Sequence, residues 1–181
     1  MLRKIRMAVA GIAVLFVGGS MGYRYTAGEG TLHVHAPDAQ GVTVRLDGQL
    51  PNNLGPGQHF ETKLPQGSHS VTIETADGAS TTHTVEVESG FYEQLVPATP
   101  EQCWVKIDAR AYYEGFEGLP SVDDRFPATG PIEVGGAMYF SEESLPNSIR
   151  DGNDVFLMWE IPCALLSAAP DDVLHAIGYD F

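Results

Sequence analysis

Histidine is the side chain in this sequence best suited to bind a metal or to exchange protons near neutral pH. Five of the six histidines lie between residues 33 and 83, and imidazole is a common ligand of zinc and copper. His33 and His35 alternate with Leu32 and Val34, which places both histidines on the outward face of a strand. They would supply half of a metal site. No Cys or acidic ligand follows at close spacing, so no metal is predicted there.

Oxygen-bearing side chains form a second group. Asp151, Asn153 and Asp154 would suit calcium, but the twelve-residue loop with its closing Glu is absent, and an ordinary turn is the alternative. Carboxylate pairs of the kind that glycosidases use also occur, and solvated loop acids are the alternative. These pairs are Glu114 with Glu117 and Asp123 with Asp124. No hydrolase, metalloprotease, Walker or dinucleotide motif occurs, so we predict a non-catalytic protein.

The candidate contact surface is the segment 112–125. Residues 114–132 lack hydrophobic periodicity, which predicts a long loop, and long loops in compact domains are often functional. Aromatic rings beside carboxylates can contact sugars or a basic partner protein. The side chains proposed to bind are Tyr112, Tyr113, Glu114, Phe116, Glu117, Asp123 and Asp124. The alternative is that Tyr113 belongs to the core and that Tyr112 is an ordinary surface residue.

The amino terminus predicts the compartment. A basic head, Leu2 to Arg6, precedes 17 uncharged residues, which as a helix would be about 25 Å long, close to the roughly 30 Å hydrocarbon core of a bilayer. Tyr23, Arg24 and Tyr25 then supply interfacial side chains, so we predict a signal-anchor helix over residues 1–25. A signal peptide cleaved before Tyr23 is the alternative. Both place the rest of the chain in the periplasm or exterior, with the anchor as a single pass through a bacterial inner membrane.

Charge distribution argues against nucleic acid as a partner. The chain has 10 basic and 24 acidic residues, and four of the basic residues lie within the first 24 positions, where no acid occurs. The remainder is therefore strongly acidic, whereas nucleic-acid binding requires a basic surface. The expected partners are the membrane, through the amino-terminal helix, and an envelope protein or a cell-wall polymer.

The two cysteines, Cys103 and Cys163, predict one disulfide in an oxidising compartment. Two buried free thiols are the alternative. Cys103 opens one predicted strand and Cys163 follows another, Val155 to Ile161. If those strands are antiparallel neighbours, the sulfur atoms meet at one end of the sheet.

The fold class is mainly β. Residues 28–97 show repeated alternation of apolar and polar residues with turn sequences between, which predicts an antiparallel β-sandwich. One hairpin is expected to pair Ile73 with His83 and Val71 with Val85 around Gly78. Residues 98–181 predict a second, acidic β-rich module with strands from Cys103 to Tyr113, from Ile132 to Phe140 and from Val155 to Ile161. A short helix follows Pro170.

Three segments of the first module resemble the PEGA family of small bacterial surface domains. They are Gly41-Val42-Thr43-Val44-Arg45-Leu46-Asp47-Gly48, Leu64-Pro65-Gln66-Gly67-Ser68-His69-Ser70-Val71-Thr72-Ile73 and Thr84-Val85-Glu86-Val87-Glu88-Ser89-Gly90. The Pro-Glu-Gly-Ala tetrad itself is replaced by residues 36–41. The resemblance implies a β-sandwich in an envelope protein and supplies no catalytic residues. Together these patterns predict a membrane-anchored, non-catalytic binding or scaffolding protein, with carbohydrate or peptidoglycan binding through residues 112–125 as the alternative.

Overall fold

The computed structural model describes residues 28–88, 93–113, 121–122, 124–141, 144–149 and 154–178. The predicted signal-anchor helix, residues 1–25, lies outside these ranges. Within them, no helix has the length and apolar character needed to cross a membrane. The described strands are β1 (Glu29–His35), β2 (Val42–Leu46), β3 (Asn52–Leu54), β4 (His59–Pro65), β5 (Gly67–Thr75), β6 (Ser80–Val87), β7 (Glu93–Pro97), β8 (Gln102–Asp108), β9 (Arg125–Phe126), β10 (Ile132–Val134), β11 (Ala137–Tyr139) and β12 (Val155–Pro162), and the α-helix is α1 (Pro170–Ala176).

These strands form three sheets, which confirms the mainly β fold class and the short helix near the carboxyl end. Sheet I has the order β10-β7-β1-β4, sheet II the order β3-β2-β5-β6, and sheet III the order β11-β12-β8-β9. Most neighbours are antiparallel, but β1 and β7 are parallel, as are β11 and β12. The prediction of a purely antiparallel sandwich is wrong at β1, because β7 returns to it after five intervening strands rather than through a hairpin.

Sheet I is the middle layer of the molecule. Its strand β1 buries Leu32 and Val34 on one face against sheet II. The residues of this apolar layer, which we call core 1, are Leu32, Val34, Ala36, Val42, Val44, Leu46, Leu64, Val71, Ile73, Val85, Val87, Val96 and Ala98. Alternating apolar side chains from both sheets meet here, as the sequence pattern of the first module predicts.

The opposite face of sheet I packs against sheet III. The layer between them, core 2, consists of Leu95, Trp104, Ile132, Val134, Met138 and Met158. The far face of sheet III is covered by Val173 and Leu174 of α1 and by Ile177, which follows the helix. That third layer, core 3, also contains Cys103, Val105, Ile107, Val122, Leu157 and Ile161. Sheet III is therefore covered on both faces, which explains the nearly continuous apolar sequence of β12.

The predicted disulfide between Cys103 and Cys163 is confirmed. Strands β8 and β12 are antiparallel neighbours, and Ile161 pairs with Cys103. The next residues of β12 bring Cys163 back to the same end of the sheet, where the two Cα atoms lie 5.0 Å apart. The bond closes the sheet end that lies beside α1.

In the β5–β6 hairpin the valines and Ile73 share one buried face, as predicted, but the pairing register differs. Val71 pairs with His83 and Ile73 with Thr81, two residues away from the predicted partners. The turn is centred on Asp77 rather than on Gly78, and the Asp77 carboxylate accepts hydrogen bonds from the Thr75 hydroxyl, at 2.5 Å, and from the Ala79 amide, at 3.3 Å. Gly78 takes a positive φ of 85°, which completes this short loop.

The predicted strand from Ile132 to Phe140 is two strands in different sheets. β10 completes sheet I beside β7, whereas β11 joins sheet III beside β12. The chain crosses between the sheets at Gly135 and Gly136. A Cβ atom on Gly136 would lie 2.3 Å from the carbonyl oxygen of Asp154, so glycine is required at that crossing.

The strand predicted to reach Tyr113 ends earlier, at Asp108. A 3₁₀ helix, Ala109–Tyr112, follows, and the Asp108 carboxylate accepts a hydrogen bond from the Arg110 amide at 2.9 Å. Part of the predicted 114–132 loop is ordered structure, since β9 pairs with β8 and Val122 is buried in core 3. The Arg125 side chain fixes this segment by donating to the carbonyl oxygens of Val122 and Ala168, each at 2.7 Å.

Candidate functional site

Three histidines gather on the face of sheet I that meets sheet III. The alternation of β1 places His33 and His35 on the same face, and the register of β4 puts His59 directly opposite His35. We call these three residues the histidine cluster. The prediction that His33 and His35 face outward is wrong, because sheet III covers that face and leaves His33 only 2% exposed. Alternation identified the shared face but not what covers it.

A chain of hydrogen bonds runs from half-buried Glu93 to exposed His59. Nε2 of His33 lies 3.2 Å from Oε2 of Glu93, and Nδ1 of His33 lies 2.9 Å from Nε2 of His59. An ionised carboxylate only accepts, so His33 donates from Nε2, its Nδ1 accepts, and His59 donates from Nε2. His59 is exposed at the outer end of the chain. Its Nδ1 is then the nitrogen left to take up a proton.

Glu93 also joins sheet I to sheet III. Its Oε2 accepts a hydrogen bond of 2.5 Å from the backbone amide of Met138 in β11. Just beyond β11, Phe140 places its ring among the histidine cluster. The ring centroid of Phe140 lies 4.5 Å from that of His59, 5.5 Å from that of His33 and 5.6 Å from that of His35. One carboxylate and one aromatic ring therefore connect the cluster to the neighbouring sheet.

His35 lies against the aromatic side chains of core 2. Its ring meets that of Trp104 edge to face, with centroids 5.5 Å apart. Nδ1 of His35 and Nε1 of Trp104 are both buried and have no hydrogen-bond partner among the described residues. Buried Gln102 donates at 3.2 Å to the His35 carbonyl oxygen and at 3.0 Å to the carboxylate of Glu160. The imidazole thus has apolar surroundings and a polar rim.

These surroundings favour neutral imidazoles at two positions. Burial lowers the pKa of His35, although the carboxylates of Glu160 and Asp38 act in the opposite direction. Burial, followed by repulsion from His33 and His35, lowers the pKa of His59 to about 4. A charged imidazolium at His35 would lose hydration that the packed rings do not replace, and a charge on His59 would lie beside the Phe140 ring and the two neighbouring imidazoles.

His69 in sheet II provides a contrast. Its Nδ1 lies 2.8 Å from Oδ2 of Asp47, and its Nε2 lies 2.8 Å from the carbonyl oxygen of Pro65. Both ring nitrogens face acceptors, so both donate only when the ring is protonated. The hydrogen bond to Asp47 raises the pKa of His69. The same residue type therefore has opposite preferences in the two places.

The described residues contain no group of three or more His, Cys, Asp or Glu side chains that could hold a metal ion. Of the calcium candidates, Asp151 and Asn153 lie outside those residues. Asp154 is exposed, and its carbonyl oxygen accepts a hydrogen bond from the Ala137 amide at 2.9 Å.

The predicted contact residues are only partly described. Glu114, Phe116, Glu117 and Asp123 lie outside the described ranges. Tyr112 packs against core 3, and the Tyr113 hydroxyl donates to the carbonyl oxygen of Pro146. Asp124 is exposed and pairs with Lys106 at 2.5 Å. The two described tyrosines therefore have contacts within the fold.

A second accessible feature is the outer edge of sheet II, formed by β6. Among the described residues no strand pairs with β6 on the side away from β5. The Asp47 amide donates to the Ser70 carbonyl, and the Glu86 carbonyl accepts from the Gln94 side chain at 2.9 Å. In an antiparallel ladder these bonds define which residues face inward. The backbone groups of Thr82 and Thr84 consequently point outward.

A groove lies at the opposite edge of sheet II, beside β3. It measures about 540 Å³, is open to solvent and is lined by Thr43, Asn53 and Glu74 among others. The Thr43 hydroxyl donates to the Asn53 side chain at 3.0 Å, so two of its polar groups already have partners.

Sequence reasoning missed Glu93, Trp104 and Phe140 as neighbours of the histidines. They come from β7, β8 and the end of β11, and only the packing of two sheets brings them together. The one local signal was the Leu-His-Val-His sequence of β1, in which both faces carry large side chains. No known protein-family model matches this sequence, and no curated protein does.

Proposed function

We propose that this protein is an exported, membrane-anchored envelope protein whose β-rich body binds a partner protein at the free edge of β6. The proposal has two parts, export and binding, which different observations support. The accessible backbone of Thr82 and Thr84 is the observation that carries the binding part.

Export is supported by the amino-terminal sequence and by the disulfide. A basic head followed by an uncharged apolar segment is typical of a signal anchor or signal peptide. Disulfides such as Cys103–Cys163 persist in oxidising compartments and are rare where thiols are kept reduced. The PEGA-like segments in the first module agree with an envelope location.

Binding is supported by a comparison of the two long edge strands. Among the described edges, β4 and β6 exceed three residues. The β4 edge carries Glu61, Lys63 and Pro65, which are side chains that natural proteins use to prevent edge pairing. The β6 edge, Ser80–Val87, carries one charged side chain, Glu86, and contains no Lys or Pro. It is therefore the more receptive edge for an added strand.

The expected occupant is an extended segment of another protein that carries basic side chains. A strand added to β6 would form main-chain hydrogen bonds with Thr82 and Thr84. Its outward side chains would lie near Glu86, which is exposed, and opposite charges in such cross-strand pairs are favourable. A second copy of this chain is disfavoured, because two strongly acidic bodies repel each other.

Proline at position 84 tests the binding part. Thr84→Pro removes an outward amide and leaves the pairing with β5 intact, since proline is accepted on an edge whose N–H faces solvent. A photo-crosslinking residue at position 82 should join the protein to a partner in intact cells, and Thr84→Pro should abolish the adduct. Thr84→Val is the matched control, because it keeps the amide and should keep the adduct.

A second substitution guards against an effect on folding. Thr82→Pro, with the crosslinker moved to position 84, repeats the test one pair further along the edge. Each variant should melt close to the wild-type temperature in circular dichroism. An adduct that survives both proline substitutions would contradict binding at this edge.

Export is tested separately. Protease added to spheroplasts should digest the protein while cytoplasmic markers survive, and full protection would contradict export. Recovery of a soluble species beginning at Tyr23 would favour the cleaved signal peptide. A failure of export would leave the edge-binding result interpretable, since the two experiments share no readout.

Carbohydrate or peptidoglycan binding through residues 112–125 is the second candidate. Its support is the predicted combination of rings and carboxylates. The affinity for a neutral sugar at this site should not change with ionic strength, because charge does not steer a neutral ligand. Replacing Glu114, Glu117, Asp123 and Asp124 with their amides should then abolish binding to purified cell-wall polymer without changing the melting temperature.

A further inference from the structure

The interface between sheets I and III differs from an ordinary apolar core in having ionisable groups at its centre and rim. The histidine cluster meets Phe140 and Trp104 from sheet III. The Met138 amide of that sheet donates to Glu93 of sheet I. Along the described chain three connections join the two sheets: residues 98–101, residues 127–131, and Gly135 with Gly136. They keep the sheets tethered when the packing between them opens locally.

We propose that the histidine cluster is an acid-sensitive latch, which holds sheet III against sheet I while His35 and His59 are neutral and loosens when these two residues take up protons. The bistable element is the packing of the two sheets, docked or locally opened.

The geometry explains why protonation acts on this interface. Nδ1 of His35 is a buried atom without a hydrogen-bond partner among the described residues, and a proton there would create a cation against Trp104 and Phe140. A backbone hydrogen bond with Ala36 favours the protonated ring, but burial outweighs it. A proton on His59 would place a charge in contact with Phe140, whose ring centroid lies 4.5 Å away. Each charge is hydrated when the sheets separate. Protons therefore bind the opened form more strongly than the docked form.

Charged groups around the cluster moderate the effect without cancelling it. From β7, Glu93 faces His33, and from β12 and the segment after β1, Glu160 and Asp38 act on His35. Glu61 shares the face of His59 on β4, directly opposite His33. Glu160 and Asp38 favour a protonated His35, but burial is the largest influence on both His35 and His59, and it lowers their pKa values.

The sign and the pH window follow from those directions. A histidine whose pKa is lower in the docked form than its ordinary 6.5 makes the opened form bind more protons. The docked form then loses stability as the pH falls below 6.5, and the loss ends near the lowered pKa. His35 and His59 act in the same direction, and solvent screens the contribution of His59 because that side chain is exposed.

Amide hydrogen exchange measures this opening directly. After correction for intrinsic exchange, and with a chelator present to exclude adventitious metal, the opening equilibrium of the Met138 amide should rise by more than about twofold from pH 7.5 to pH 5.5. The Ile73 amide in sheet II should change less than twofold. Equal changes at both amides, or no change at either, would overturn the proposal.

Substitutions assign the effect to the cluster. His59→Gln keeps a side-chain donor for His33, and His35→Phe keeps an aromatic ring against Trp104, but neither residue titrates. The double variant should show no acid-induced opening at Met138. His83→Gln is the matched control, because burial also lowers the pKa of His83 but this residue lies in sheet II. Loss of the response in the control, or its retention in the double variant, would contradict the latch.

A second measurement keeps the test decisive if the double variant does not fold. The contrast between Met138 and Ile73 in the wild-type protein requires no substitution. A response at Met138 that matches that at Ile73 would then overturn the latch by itself.

Discussion

The two faces of sheet I form two different kinds of interface. Toward sheet II, β1 presents Leu32 and Val34 to a layer of aliphatic side chains. Toward sheet III, the same strand presents His33 and His35 to aromatic rings, a carboxylate and a buried amide. Both faces are covered, but only the first has the composition of a conventional core.

This difference shows what polar alternation means in a layered β protein. Alternation reports that two faces are chemically different, and it does not report that the polar face meets water. The aliphatic interface derives its stability from area and shape. The histidine-containing interface also depends on hydrogen bonds and on protonation, so solution conditions can alter it while core 1 stays unchanged.

The largest expected effect comes from removing a central side chain of each interface. Trp104→Ala, at a residue 1% exposed, should lower the free energy of unfolding by about 3–5 kcal/mol, and Ile73→Ala in core 1 should lower it by about 2–5 kcal/mol. Denaturant titration at two pH values distinguishes them. The Ile73 variant should keep the wild-type loss of stability in acid, whereas the Trp104 variant should lose part of it, because water then reaches His35. Identical pH dependence in both variants would contradict the distinction.

The disulfide should stabilise the sheet III side of the molecule. Cys103→Ser removes the cross-link and should lower the free energy of unfolding by about 2–5 kcal/mol. Reductant should produce a similar loss in the wild-type protein and none in the variant. Thiol labelling of the denatured, unreduced protein provides the chemical check, since two labelled cysteines would show that the bond is not formed.

The crossing between the two interfaces can be tested with adjacent glycines. Gly136→Ala places a Cβ atom 2.3 Å from the Asp154 carbonyl oxygen, so the backbone must shift, at a cost of about 1–3 kcal/mol. Gly135→Ala meets nothing within 4 Å and should change stability by less than about 0.5 kcal/mol. Equal melting temperatures for the two variants would contradict the described path of the chain between sheets I and III.

The smallest effect concerns the His69–Asp47 ion pair of sheet II, whose pH dependence has the opposite sign. A raised pKa for His69 means that its ion pair with Asp47 stabilises the fold below about pH 6.5, and that this stabilisation disappears as pH rises through the raised value. His69→Gln should therefore cost more at pH 5.5 than at pH 8.5, and the cost should stay within about 1 kcal/mol because the pair is near the surface. A cost that grows with pH would contradict the assignment.

Much of the fold could be predicted because its signals are local. Three features each depend on short stretches of sequence. They are the aliphatic alternation of β2, β5 and β6, the position of Cys103 and Cys163 at the ends of two antiparallel strands, and the start of α1 at a proline. The hairpin register failed by two residues because a single hydrogen-bonded side chain, Asp77, determines the turn. The break at Gly135 was missed because the apolar pattern continues through it while the strands change sheets.

The candidate site was less predictable because its parts are distant in sequence. His33 and His59 meet through strand register, and Phe140 reaches them only when sheet III packs on sheet I. Nothing in the local sequence of β7 distinguishes Glu93 from the other acids of this acidic chain. Periodicity specifies which residues share a face, whereas the identity of the covering layer requires the complete topology.

The central claim is that sheet III packs over the face of sheet I that carries the histidine cluster, whereas His69 in sheet II forms an ion pair with Asp47. Nuclear magnetic resonance titration of the imidazole protons, with His35, His59 and His69 assigned by single substitutions, measures this directly. The account predicts that His35 and His59 titrate below their ordinary pKa of 6.5 and that His69 titrates above it. Titration of His35 and His59 at or above 6.5 would contradict the account, because solvated imidazoles on an outward face would behave in that way.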